Sequence, residues 1–186
     1  MEKSLRSDEE IARAIVGPAE LLDSSIALTE YDPVWPRLFE REATRVHAAL
    51  GARALLVEHV GSTAVPGLAA KPRIDIVLGV FDSSDEGSYV GRLEAAGYAL
   101  RIREPDRNEH RMFTGSDPEV NLHVFSNGCP EIERMLRFRD HLRVDEDDRR
   151  LYEQTKRSLA ERTWRYTQHY ADAKTAVVEE ILARGR

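Results

Sequence analysis

Between Glu58 and Asp75 the chain reads Glu-His-Val-Gly-Ser-Thr-Ala-Val-Pro-Gly-Leu-Ala-Ala-Lys-Pro-Arg-Ile-Asp, and here the residue types and their order best suit chemistry. Gly61, Ser62 and Thr63 follow an apolar run directly. A glycine and two hydroxyls at a strand-to-helix corner offer free backbone N–H groups and O–H donors, the equipment that holds phosphate oxygens. Lys71 and Arg73 add positive charge on the way to Asp75. The stretch is not a Walker loop, because neither Gly61 nor Gly67 leads into an adjacent Lys-Ser or Lys-Thr pair. The bland alternative is a Gly/Pro-rich connector in which Ser62 or Thr63 caps a helical turn.

Asp75 sits inside an apolar strand, Ile74-Asp75-Ile76-Val77-Leu78. A buried carboxylate without a partner costs several kcal/mol, so it must face a cleft, a metal, or an ion-pair partner such as Lys71 or Arg73. Further on, Asn121 and His123 share one strand face while Leu122 and Val124 take the other, which makes His123 either an acid/base or ligand group near Asp75 or a hydrogen-bonded core histidine. Arg139 and Arg143 lie one helical turn apart, a spacing that can clamp an anion. Tyr152/Lys156 and Tyr170/Lys174 repeat a Tyr-x3-Lys step with the same geometry. For these helical pairs the alternative is a solvated charged face. The segment Arg101–Arg111 holds four arginines against three acids in an expected hairpin loop and reads as a lid or anion contact.

These residues need elements to position them. Asp8-Glu9-Glu10 followed by Ile11, Ala14 and Ile15 predicts a short helix stopped by Gly17-Pro18, and 27–31 a short strand. Asp32 as N-cap and Pro33 at the first helical position open a helix that buries Trp35, Leu38, Phe39, Val46 and Leu50 and ends at Gly51. Strands are expected at 54–60, 73–80, 98–102, 110–114 and 120–125, with a helix at 89–96 and, between the first two strands, a loop with one helical turn. From Glu131 onward helices are expected at 131–143, 147–162 and 164–184. The order predicts an α+β domain over 26–186, sheet core to about residue 128 and a helical region over 130–184, preceded by a helical extension over 1–25.

Composition bounds the function. The chain has 186 residues, 41% hydrophobic and 32% charged, with no apolar run near the roughly 18–20 residues that cross a bilayer. No apolar signal-peptide core follows the N-terminus, and one cysteine, Cys129, excludes an internal disulfide, so a cytoplasmic protein is expected. A net charge of −6 argues against nucleic acid and membrane partners. Six acids against three bases fall within residues 1–25, so the remaining body is only mildly acidic and compatible with a small anionic ligand.

Ile26-Ala27-Leu28, Tyr31-Asp32-Pro33-Val34-Trp35-Pro36, the block Glu58–Ile76, Leu122-His123-Val124-Phe125, Phe138-Arg139-Asp140-His141-Leu142-Arg143 and the two Tyr-x3-Lys pairs together resemble the GrpB family, in order, from about Ile26 to Ile181. That family is placed in the nucleotidyltransferase superfamily. The resemblance implies a nucleotidyltransferase-like mixed sheet and transfer of a nucleotidyl group with two magnesium ions between carboxylates and phosphate. Gly61-Ser62 fits the superfamily's loop and Asp75 its first acid; Val77 stands at the second acidic position, and Asn121 and His123 where a third acid is expected. The reading that follows is a cleft for a nucleotide or phosphorylated small molecule. Gly61, Ser62, Thr63, Lys71 and Arg73 hold phosphate, and Asp75 binds a single magnesium or acts as base. Asn121 and His123 serve the acceptor, and Arg139, Arg143, Lys156 and Lys174 close the cleft from the helical side. Two alternatives stand beside it. One is a non-catalytic ligand-binding or folding-assistance module, suggested by fusions of the family to dephospho-CoA kinases. The other is a small-molecule transferase or ligase using Asp75 and His123 as acid and base.

Overall fold

Strands β1 (Leu56–Val60), β2 (Ile74–Val80), β3 (Ala99–Glu104), β4 (His110–Ser116) and β5 (Glu119–Ser126) form one sheet in the order β1-β2-β5-β4-β3. This is a computed structural model, and it describes residues 5–18, 21–22 and 25–185. The β2–β5 pair is parallel and the others are antiparallel, which makes the α+β, mixed-sheet expectation correct.

Strand alternation decides what faces what. On one side Ile74, Ile76, Leu78, Leu122 and Val124 are fully buried beneath α2 (Trp35–Leu50) and α3 (Val90–Ala95), through Trp35, Val46, Leu50 and Leu93. On the other, Val60, Val77 and Phe125 pack against Ile132 of α4 (Pro130–Val144). Asp75, Asn121 and His123 share that second face and open onto a cavity. Helices α5 (Glu146–Ala160), α6 (Thr167–Ala173) and α7 (Thr175–Arg184) complete the C-terminal third. Their apolar residues Tyr152, Val177 and Ile181 join Leu142 around Val65 and Leu68 of the loop after β1. Burying two loop side chains, at roughly 1.5–3 kcal/mol each, fixes that loop against the helices.

Local chemistry moved several boundaries. The expected strand at 27–31 is reduced to one bridge, in which Thr29 and Ala70 exchange N–H···O bonds of 2.8 and 2.9 Å. Asp32 does not cap α2. Its carboxylate accepts from the Val34 N–H at 2.8 Å, a turn of its own, and the helix begins at Trp35 with Pro36 in its first turn. The long helix expected over 164–184 is two, broken at Lys174. The N-terminal helix, α1 (Asp8–Ala14), carries a Ser7/Glu10 capping box, buries Ile11, and is followed by an Ile15–Ile102 bridge to β3. Glu2, Lys3, Glu20 and Asp23 of the acidic extension lie outside the described residues. No helix among the described residues is long and apolar enough to cross a membrane.

Glu42 of α2 is 0% exposed, and the Tyr98 hydroxyl donates to its Oε2 at 2.7 Å beside Arg45 at 3.2 Å. Tyr98→Phe removes a donor from a buried carboxylate and is expected to cost about 1–3 kcal/mol, read as a lower urea midpoint with unchanged slope.

Candidate functional site

The corner after β1 is built around a close approach. Val60 pairs with Asp75 across the β1–β2 ladder, and Gly61 then turns with φ of 69°. A Cβ on Gly61 would lie 2.5 Å from Asp75 Oδ2, so a side chain fails there on both backbone and contact grounds. The next three residues, Ser62–Ala64, make one tight 3-10 turn, as expected of the loop. Ser62 faces the cavity. Thr63 also borders it, but its hydroxyl lies 3.0 Å from His59 Nε2 and donates to the Arg73 carbonyl at 3.2 Å, so it locks the corner and is not free for phosphate. Burial pushes the His59 ring down to about 4, which keeps it neutral there, stacked 4.8 Å from Phe39.

Asp75 is 29% exposed and pairs with neither Lys71 nor Arg73. Its Oδ1 accepts from Asn121 Nδ2 at 2.8 Å and lies 3.9 Å from His123 Nε2. Burial disfavours its charge, but the nearby His123 ring, Asn121 and Lys174 outweigh burial and hold the carboxyl below the ordinary value. Arg73 instead bonds Glu119 at 2.8 Å and Asn121 Oδ1 at 3.4 Å, so it orients the Asn121 amide that serves Asp75.

The helical side supplies lysines. Lys156 is 2% exposed; its Nζ donates to Ser62 Oγ at 3.0 Å and to the Ala69 carbonyl, 5.0 Å from the centre of the Tyr152 ring. Burial and then neighbouring Lys174 push its pKa down to about 7. Lys174 lies 4.6 Å from the centre of the Tyr170 ring. Burial works against its charge, but Tyr152, Tyr170 and Asp75 hold its pKa above the usual lysine value. Each Tyr-x3-Lys step thus becomes a lysine over the ring one turn back. Lys71 also borders the cavity, its pKa lowered by burial and by Arg73 and Lys174.

Ten of the twelve residues singled out from the sequence therefore line one cavity of about 720 Å³, room enough for a nucleotide-sized ligand. Arg139 and Arg143 do not. Arg139 binds Glu58 at 2.8 Å, the His59 carbonyl at 2.9 Å and Asp140 at 2.8 Å; Arg143 donates to the Ala64 carbonyl at 3.0 Å. Their shared helix face staples α4 to the outer side of the corner. Of the arginine-rich hairpin, Arg101 borders the cavity, while Arg103 and Arg111 share Glu86 and Arg107 approaches Glu104. The hairpin also brings Glu104 and His110 to the cavity, which sequence reasoning missed. His110 Nδ1 lies 2.7 Å from Glu104 Oε2, and its Nε2 lies 3.0 Å from His123 Nδ1. The available signal was strand alternation, which puts His110 and Met112 on one face of β4, with Met112 paired to His123.

The GrpB protein family model matches residues 25–184, and the built geometry now has relatives to set it beside. The chain belongs to the GrpB family. A UPF0157 protein of Halalkalibacterium halodurans is 59% identical over 96% of this chain and 92% of its own length. The crystal structure of the conserved protein GrpB from Enterococcus faecalis superposes with a TM-score of 0.72 at 30% identity, covering 85% of this chain and 98% of that one. A dephospho-CoA kinase of Mycolicibacterium paratuberculosis is 34% identical over 77% of this chain, which spans 42% of the kinase.

The two-magnesium arrangement implied by the resemblance does not fit this GrpB chain. Hard cations need several oxygen ligands. Val77 packs with Val60, Phe125 and Ile132, and Glu58, its partner on β1, is bound to Arg139. Among the described residues the one group of three ligand-type side chains is His141, Asp145 and Asp148, and Arg184 is bound to Asp148.

Gly61→Ala combines a backbone strained for any side chain with a clash on Asp75, and is expected to cost about 2–6 kcal/mol. Chemical denaturation checks this, with Gly67→Ala as the comparison, since a Cβ there meets nothing within 4 Å although φ is 77°.

Proposed function

We propose that this GrpB protein binds a phosphorylated small molecule of the nucleotide class in the cavity and transfers a nucleotidyl or related group from it to a hydroxyl-bearing acceptor. One observation carries the reading. Lys71, Lys156 and Lys174 border the same cavity, and among the described residues no carboxylate lies in ion-pair range of any of them. Three of the arginines at the cavity differ: Arg6 is paired with Glu104 and Asp172, Arg73 with Glu119, and Arg134 with Glu131. Lys71, Lys174 and, once protonated, Lys156 stand around Asp75 without an ion-pair partner and favour an anion of two or three charges.

In this reading the backbone at Gly61 and Ser62 and the three lysines hold phosphate oxygens. Tyr152 and Tyr170 border the cavity and hold Lys156 and Lys174 over their rings. Asn121, oriented by Arg73, keeps Asp75 turned to the acceptor side, where His123 takes the acceptor's proton. The oxygen so freed bonds to phosphorus, and the leaving phosphate departs with its electron pair. The lysines supply the charge stabilisation that cations would otherwise give.

The single strand carboxylate also favours a second reading, in which the same ligand class is held without turnover. Isothermal titration with ATP, in EDTA and in magnesium, tests the binding common to both. Binding of similar strength in the two buffers is expected, weakened at least tenfold in Lys156→Met and Lys174→Met. Absence of ATP binding in both buffers overturns both readings. Turnover in a screen of hydroxyl acceptors, lost in His123→Ala, selects the first.

The pH dependence has a fixed sign. An anion raises the pKa of Lys156 above its free value of about 7, so binding takes up a proton. Affinity is expected to be highest below pH 7 and to fall as pH rises through 7 toward 9, with the fall abolished in Lys156→Met.

A further inference from the structure

We infer that Glu104 and His110 are positioning residues that hold His123 with its proton on Nδ1, leaving the Nε2 lone pair and the Asp75 carboxylate as two acceptors that flank a slot for a donor group of the acceptor substrate. The inference deepens the transfer reading above and rests on it for the acceptor's identity, a hydroxyl compound. The tautomers of His110 and His123 do not depend on it.

The chain of donors and acceptors runs in one direction. Glu104 is a carboxylate, held below its usual pKa against burial by His110, Arg6 and Arg107, and it can only accept. The 2.7 Å bond therefore requires the proton on His110 Nδ1. Burial lowers the His110 pKa, with His123 and Arg111 adding to that and Glu104 opposing it, so the ring is neutral and its Nε2 is a lone pair. That lone pair lies 3.0 Å from His123 Nδ1 and must be met by a proton there. A neutral His123 then has no proton left for Nε2, which faces Asp75 Oδ1, also an acceptor, so the ring stabilises that carboxylate only once it is protonated. The separations follow the same order. The two links that carry a proton measure 2.7 and 3.0 Å, and the one that lacks it has opened to 3.9 Å. Packing reinforces the ring orientations, since His110 stacks between His123 at 5.2 Å and Phe125 at 4.8 Å.

A carboxylate–histidine–histidine line of this kind does for His123 what a carboxylate does for a single catalytic imidazole: it fixes the tautomer and leaves the outer nitrogen basic. An O–H placed in the slot can donate to Nε2 or to Asp75 Oδ1. When the O–H bond breaks, its proton bonds to Nε2 and its electron pair stays on the attacking oxygen. The resulting imidazolium sits beside the Asp75 carboxylate. Arg6 bonds Glu104 at 2.7 Å and Asp172 at 2.8 Å, so the N-terminal extension adds to what keeps the far end of the line charged.

Long-range 15N–1H NMR of the ligand-free protein at pH 8, with the rings assigned through His110→Gln and His123→Gln, reads the tautomers without reference to any nucleotide. Both His110 and His123 are expected as Nδ1–H tautomers, the less common form of a free imidazole. Glu104→Gln, whose amide can also donate, is expected to move His123 toward the Nε2–H form and, in the transfer assay, to lower kcat more than it raises KM. An Nε2–H or doubly protonated His123 in the native protein overturns the proposal. So does selective broadening of the His123 signal by micromolar manganese, which would give the slot to a cation. Nδ1–H tautomers in a protein that fails to bind ATP would uphold the line and refute only the nucleotide reading.

Discussion

A carboxylate placed in the middle of an apolar strand is the constraint from which the site follows. Asp75 lies between Ile74 and Ile76, both fully buried, and it shares its own face with Val77. Keeping that charge requires neighbours that stabilise it: an amide from Asn121 and ammonium groups across the cavity. It also requires space, which a glycine at position 61 provides by bringing backbone to where a Cβ would touch Asp75 Oδ2. The mixed sheet makes this convergence possible. The parallel β2–β5 pair sets Asp75 beside Asn121, and the antiparallel β1–β2 pair brings the corner back over it.

The helical third has two separable roles that the sequence presents in one charge-rich run. Arg139 and Arg143 on α4 bind the outer side of the corner, where Glu58, Asp140 and backbone carbonyls compensate them. Lys156 and Lys174 reach the inner side, where tyrosine rings and carbonyl or hydroxyl oxygens surround them. Compensated cations build structure, and uncompensated ones next to a cavity are those proposed to hold an anion. That distinction separates the lysines from the arginines of this protein more sharply than spacing does.

Much of this was legible in the residues. Two apolar runs and three period-2 alternations located all five strands nearly to their ends and put Asn121 and His123 on one face, and Asp75 stood out because a buried strand tolerates few polar residues. The Gly61–Thr63 corner was legible for the same reason. The sequence was silent where the outcome depends on a partner distant in the chain. Thr63 looked like a phosphate donor until His59 and the Arg73 carbonyl claimed its hydroxyl. Arg139 and Arg143 had the spacing of a clamp, but a helix periodicity does not say which side of a loop the helix meets. His110 was hidden in an arginine-rich hairpin, and only the β4–β5 register brings it to His123.

A crystal structure with a non-hydrolysable nucleoside triphosphate tests the central claim most directly, because that claim is about place. The phosphates should lie on the inner side of the corner, against the Gly61 and Ser62 backbone and within hydrogen-bond distance of Lys71, Lys156 and Lys174, with Asp75 and His123 facing the side from which an acceptor enters. Phosphates seated on Arg139 and Arg143 at the outer face, or anywhere outside the cavity, would contradict it.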